Sequence, residues 1–146
     1  MRLLILAVAA LAVTTPAIAQ TPKAEWSAEA RAAAVPVEHY LQGHATGDGA
    51  HMRAAFAPEA MLFFIRGDTL ASRTSEAYIT GLSGEPAPDE AQRKRWIESI
   101  DVAGNAGVAK VVLDYPATRF VDYLSLLKIN GEWKIINKIF YAEPRN

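Results

Sequence analysis

TRFVDYLSLLKINGEWKIINKIFY, residues 118–141, is the stretch on which the reading of this chain turns. Two runs of alternating β-branched, aromatic and aliphatic residues flank Asn130-Gly131. That dipeptide is a strong hairpin signal, because a two-residue type I′ turn needs residues that tolerate positive φ. So short a loop sets the register. Ile129 should face Glu132, Leu126 Ile135, Leu124 Asn137, Asp122 Ile139 and Phe120 Tyr141. Side chains alternate at period two, so one face is expected to carry Phe120, Asp122, Leu124, Leu126, Trp133, Ile135, Asn137, Ile139 and Tyr141. The other carries Val121, Tyr123, Ser125, Leu127, Lys134, Ile136, Lys138 and Phe140. The first reads as the wall of a core or pocket holding a small polar cluster. The second is too apolar for an ordinary wet surface.

Upstream, Ser27 is a plausible N-cap before Ala28 to Ala34, which are rich in helix formers. Pro36 either kinks this segment or sits in the first turn of a main helix running to about Thr46. Val37, Tyr40, Leu41 and His44 share one face of it at helical spacing. Gly47-Asp48-Gly49 ends that helix, and Asp48 caps a second, with Met52, Ala55 and Phe56 inward. The apolar run MLFFI within residues 60–66 reads as a buried strand, followed by a short partner at Thr69 to Ala71. Thr74-Ser75-Glu76 opens a third helix. Strands follow at 93–102 and 108–115, around a turn at Gly104-Asn105, before the terminal hairpin. Helices leading a group of strands imply an α+β fold, with three helices packed on a curved antiparallel sheet.

The N-terminus reads as an export signal. Arg2 is the basic flank, Leu3 to Val13 the apolar run, and Ala17-Ile18-Ala19 the small-residue cleavage site. The expected organisation is a signal peptide over 1–19, a leader over 20–34 and one domain over 35–146, with a periplasmic or secreted location. The apolar run falls short of the roughly 20 residues of a spanning helix. The chain has 15 Lys and Arg against 16 Asp and Glu and no Cys. Near-neutral charge argues against a nucleic-acid partner, which calls for a basic stripe. The absence of Cys excludes disulfides, thiolate metal sites and cysteine nucleophiles.

The chain also resembles a known family. The residues that carry the likeness are Tyr40-x-x-Gly43, Gly47-Asp48, Ala55-Phe56, Ile100-Asp101-Val102-x-Gly104-Asn105, Ala109-Lys110-Val111, Phe120-x-Asp122-Tyr123-Leu124-x-Leu126-Leu127-Lys128 and Trp133-Lys134-Ile135-Ile136-Asn137-Lys138-x-Phe140. These resemble the putative lumazine-binding branch of the nuclear transport factor 2-like superfamily, a cone-shaped α+β fold. Where that branch is expected to have a His after the Ala-Phe pair, this chain has Ala57. The superfamily includes isomerases, cyclases, dehydratases and epoxide hydrolases beside non-enzymatic binders and oligomerisation modules, so the fold leaves function open. The resemblance also implies pairing of two copies through the outer sheet face, which fits the apolar character of that face.

The expected pocket is walled by Tyr40, His44, Phe56, Phe64, Trp96, Phe120, Leu124 and Asn137, with Asp122 as polar anchor for a small, partly apolar molecule. Burial penalises a charged carboxylate, which makes Asp122 a proton-transfer candidate with Tyr40 as its partner. The alternative is a structural ion pair with Arg119 or Lys110. Catalysis, if present, would be cofactor-independent isomerisation, dehydration or cyclisation. A third reading is a non-catalytic dimeric interaction module. His39 and His44 are five apart, the wrong helical spacing for joint ligation, so no metal site is expected. Arg93-Lys94-Arg95 entering a strand reads as a solvated run balanced by Glu90 and Glu98.

Overall fold

The computed structural model describes residues 26–145. The signal expected over 1–19 therefore lies outside the described residues. Helix α1 (Ala28–Thr46) opens where Ser27 accepts a hydrogen bond from the Ala30 amide, and closes at Gly47, whose φ of 72° is left-handed. It passes without a break through Pro36 and across residue 35, where the domain was expected to begin. Its inward stripe is Ala33, Val37 and Tyr40, all fully buried. Helix α2 (Gly49–Ala55) is capped by Asp48 and α3 (Ser75–Ile79) by Thr74, as their residue types dictate. The strands are β1 (Phe56–Arg66), β2 (Thr69–Thr74), β3 (Lys94–Ala103), β4 (Ala106–Asp114), β5 (Thr118–Ile129) and β6 (Glu132–Pro144). A single 3-10 turn at Glu90–Gln92 precedes β3.

The six strands form one sheet in the order β2-β1-β6-β5-β4-β3. It is mixed rather than wholly antiparallel. The chain leaves β1 for β2, α3 and the β3–β5 meander before β6 returns alongside β1, and that long return makes the β1–β6 pairing parallel. The helices close the concave face, where Val111, Leu124, Leu126 and Ile135 meet Val37, Tyr40 and Met52 in one apolar cluster. Each such aliphatic side chain contributes roughly 1.5–3 kcal/mol by leaving water.

The terminal hairpin follows its expected register only near the turn. Asn130 and Gly131 have φ of 51° and 87°, and the pairs run from Ile129↔Glu132 to Leu126↔Ile135. Ser125 then pairs with Asn137, leaving Ile136 as an extra residue. Beyond it Leu124 faces Lys138, Asp122 faces Phe140 and Val121 faces Tyr141. The bulge reverses the parity of everything after it. Lys138 and Phe140, expected outside, are on the concave face. Asn137, Ile139 and Tyr141, expected inside, are on the convex face. The neighbouring strand shares the irregularity: β1 pairs Phe56 with Ile135 but Met61 with Asn137. The skipped segment contains Pro58, which has no N–H to give a ladder.

The same face logic moves Trp96. It pairs with Val112, which alternates with the inward Val111 and Leu113, so Trp96 lies on the convex side with the Arg119 guanidinium 6.0 Å from its ring. That side also carries Ile65, Leu70, Ile139 and Tyr141, each half or more exposed.

Candidate functional site

Tyr40, Asp122 and Lys138 converge where the middle of α1 crosses the centre of the sheet. The Tyr40 hydroxyl donates to Asp122 Oδ2 at 2.5 Å. Lys138 Nζ donates to the Tyr40 oxygen at 2.5 Å and to the same carboxylate oxygen at 3.1 Å. Tyr40 and Asp122 are fully buried and Lys138 is 4% exposed. Asp122 Oδ1 is buried and has no hydrogen-bond partner among the described residues. A buried carboxylate and ammonium hold their charges only as a pair, which is why the acid on β5 needs this base on β6. Lys110 and Arg119, the other bases expected to pair with it, are engaged elsewhere, Lys110 with Glu98 and Arg119 over Trp96.

Burial pushes the Lys138 amine below the usual lysine range, opposed by the attraction of Asp122. Burial and the neighbouring carboxylate both hold the Tyr40 phenol well above its ordinary value. Lys138 Nζ is boxed by rings, 4.8 Å from the Phe140 centroid, 5.0 Å from Tyr40 and 5.6 Å from Tyr78.

Lys138 is also the floor of a cavity of about 560 Å³. Phe64, Tyr115, Phe120 and Phe140 provide aromatic walls, and Leu62 and Leu113 aliphatic ones. His44 and Tyr78 also line the space and share a hydrogen bond of 2.9 Å between Nε2 and the phenol. Burial, then the positive charges of Lys138, Arg95 and Arg93, hold the His44 imidazole well below its ordinary value, so it is neutral at pH 7. At the rim stand Arg66, Arg73 and Arg93. Arg93 is tied to Asp89 at 2.7 Å and lies 4.3 Å over the Tyr115 ring. Arg66 and Arg73 form no ion pair among the described residues.

Of the residues expected to form the pocket, His44, Phe64 and Phe120 line it. Tyr40 and Asp122 lie beneath Lys138 and reach the cavity only through it. Phe56 and Leu124 are packed in the core behind them, Phe56 edge-on to Tyr40 and Tyr78. Trp96 and Asn137 do not line it. The Asn137 amide instead donates to the Met61 carbonyl across the β1–β6 pairing. Sequence reasoning missed Lys138, Tyr78 and Tyr115. A signal for the first existed: a lone acid on an apolar face demands a base, and Lys138 stood one residue out of phase with it. Among the described residues no three His, Asp or Glu side chains gather to hold a metal, and no helix is long and apolar enough to cross a membrane.

Residues 28–141 match the family described as putative lumazine-binding. A nuclear transport factor 2-like protein of unknown function from Shewanella baltica OS155 is 28% identical, with a TM-score of 0.72 covering 80% of this chain and 95% of that one. Another, from Methylobacillus flagellatus KT, is 27% identical, with a TM-score of 0.67 over 82% of this chain and 96% of its own. The aldolase FrzH of a Cladobotryum species is 23% identical over 109 residues, 73% of this chain and 85% of that protein. The match over residues 28–141, which span the helices and nearly all of the sheet, makes this protein a member of the putative lumazine-binding family within the nuclear transport factor 2-like superfamily.

Proposed function

We propose that this is an exported small-molecule-binding domain whose cavity takes a compact, partly aromatic molecule bearing an acidic group. One observation carries the reading: a single amine, Lys138, closes the floor of an aromatic-walled cavity whose rim holds Arg66 and Arg73, which form no ion pair among the described residues. Apolar walls with a few convergent polar groups are the usual make-up of a ligand site. Guanidinium groups at the mouth suit a carboxylate, and the floor amine suits a carbonyl or hydroxyl oxygen. The residues over 1–19 support export, to the periplasm or beyond. No cofactor, nucleic acid or membrane anchor enters the proposal. Native mass spectrometry of the protein from its own periplasm tests it. A retained acidic molecule is expected, and aryl carboxylates should raise Tm in the wild type but not in Arg66→Glu with Arg73→Glu. A chain that starts at Met1 in the membrane fraction, or a cavity indifferent to every anion, defeats the reading.

The buried array favours a second reading, cofactor-independent chemistry on a carbonyl compound, and the similarity to a protein named an aldolase supports it. Asp122 would then act through Lys138 rather than touch substrate, while neutral His44 faces the cavity as the base.

The proposed assembly is a homodimer through the convex face. The bulge revises which residues make that surface: Tyr123, Ile139, Tyr141, Ile65 and Leu70 enclose a shallow apolar groove, where a lone monomer would leave a large patch in water. Light scattering should give twice the chain mass, and Tyr123→Lys with Ile139→Lys should yield a folded monomer. A wild-type monomer at micromolar concentration overturns the dimer.

A further inference from the structure

We infer that Lys138 bonds its ligand covalently, forming an imine with an aldehyde or ketone held in the cavity; this rests on the carbonyl and acidic-group reading above. An ammonium that merely attracted an anion would be best placed at the rim, hydrated and free to move. Lys138 is instead almost fully buried in the cavity wall, held by two hydrogen bonds from behind and ringed by Tyr40, Tyr78 and Phe140. One of those bonds goes to Asp122, a carboxylate that can accept a proton from it. Desolvation of this kind is how a lysine becomes a nucleophile near neutral pH, and the downward pull on its amine agrees.

The atoms balance without a further reactant. The ammonium passes one proton to Asp122 Oδ2, the carboxylate oxygen it already donates to at 3.1 Å. The freed nitrogen lone pair attacks the carbonyl carbon, and the C=O π electrons move onto oxygen. A second proton leaves nitrogen for that oxygen through the neutral His44–Tyr78 pair, which faces the same space. Asp122 then returns its proton to the nitrogen, a further proton passes from nitrogen to the hydroxyl by the same His44–Tyr78 route, and the nitrogen lone pair expels that oxygen as water. Two of the three ammonium protons thus leave in water and the third stays on an iminium nitrogen. In the iminium a positive charge again stands beside the ionised Asp122, so the buried acid is charged only when it is paired. That restored pairing is what a lysine buried on a carboxylate offers and a lysine in an apolar hole does not.

Phenylpyruvate, which carries an aryl group, a ketone and a carboxylate, is a suitable probe. The wild-type protein is incubated with it at pH 7 with and without sodium cyanoborohydride, then mapped by peptide mass spectrometry. One reduced adduct is expected, on Lys138, forming at least about tenfold faster than on Lys94, Lys110, Lys128 or Lys134, as desolvated amines outcompete hydrated ones. Benzoate should slow it by occupying the rim. Because the site is mapped in the wild type, the result does not depend on any variant folding. A Tm increase with phenylpyruvate but no adduct at Lys138 overturns the covalent step and leaves the binding proposal standing. Adducts spread evenly over surface lysines overturn it too. No Tm increase and no adduct defeat both.

Discussion

The two halves of the terminal hairpin obey the same sequence rules and end with opposite orientations. Between Leu126 and Ile135 the strands pair as the Asn-Gly turn dictates. Beyond Ile136 every side chain of β6 faces the other way. The near half gives the core Leu126, Trp133 and Ile135, and its contribution is packing. The far half brings Lys138 under Tyr40 and onto Asp122, and places Phe140 against Phe64 with ring centroids 5.3 Å apart. One unpaired residue separates a structural half from a chemical half. Bulges beside functional sites re-aim side chains in this way.

That contrast can be broken most severely by removing its cause. Deleting Ile136 and Asn137 together restores a regular ladder in which Lys138 falls opposite Ser125 on the convex face, leaving Asp122 buried alone. The combined loss of pairing and packing should approach the roughly 5–15 kcal/mol that holds a typical domain together. No cooperative urea transition is expected. A folded deletion variant that retains the cavity would show the bulge to be incidental.

A smaller effect sharpens the far half itself. Asp122→Ala or Lys138→Met leaves one charge without its partner and should cost about 3–5 kcal/mol by urea unfolding. Asp122→Leu combined with Lys138→Met should recover most of that stability, because apolar replacements of a buried pair are often neutral or better. Ligand binding should stay lost. If the double variant binds as the wild type does, the array is purely structural.

The smallest effect concerns pH. Burial and the charges of Lys138, Arg95 and Arg93 hold folded His44 neutral well below its ordinary range, whereas the unfolded chain protonates it near pH 6.5. Below that pH the unfolded state binds a proton that the folded state does not, so stability falls as pH drops. His44→Gln should flatten this part of the Tm profile between pH 7.5 and 5. An unchanged slope would mean that His44 is solvated in the folded state.

What was legible in the sequence was local. Ser27, Asp48 and Thr74 cap the helices their residue types announce, and Asn130-Gly131 makes the turn it should. Val37 and Tyr40 declare the buried face of α1 by spacing alone. The bulge was not legible, because Ile136 has the same strand propensity as its neighbours and the matching irregularity in β1, around Pro58, is far away in sequence. Trp96 was assigned to the wrong face for a related reason: a strand of mixed polarity does not state which side is covered. Tyr78 and Tyr115 lie on a short helix and just past a strand end, where periodicity is too brief to show direction.

The hydrogen bonds of the array also set an order of events. Tyr40 is bound to a residue 82 positions away and to another 98 away, and Glu29 reaches Lys128 and Trp133 across 99 and 104. Contacts so distant along the chain form slowly, because the intervening segment must first be brought together. The floor of the cavity exists only once the first helix has met the last strand. A growing chain still lacking β6 has neither the lysine nor the wall that it anchors, so ligand capture reports completed folding and cannot precede it.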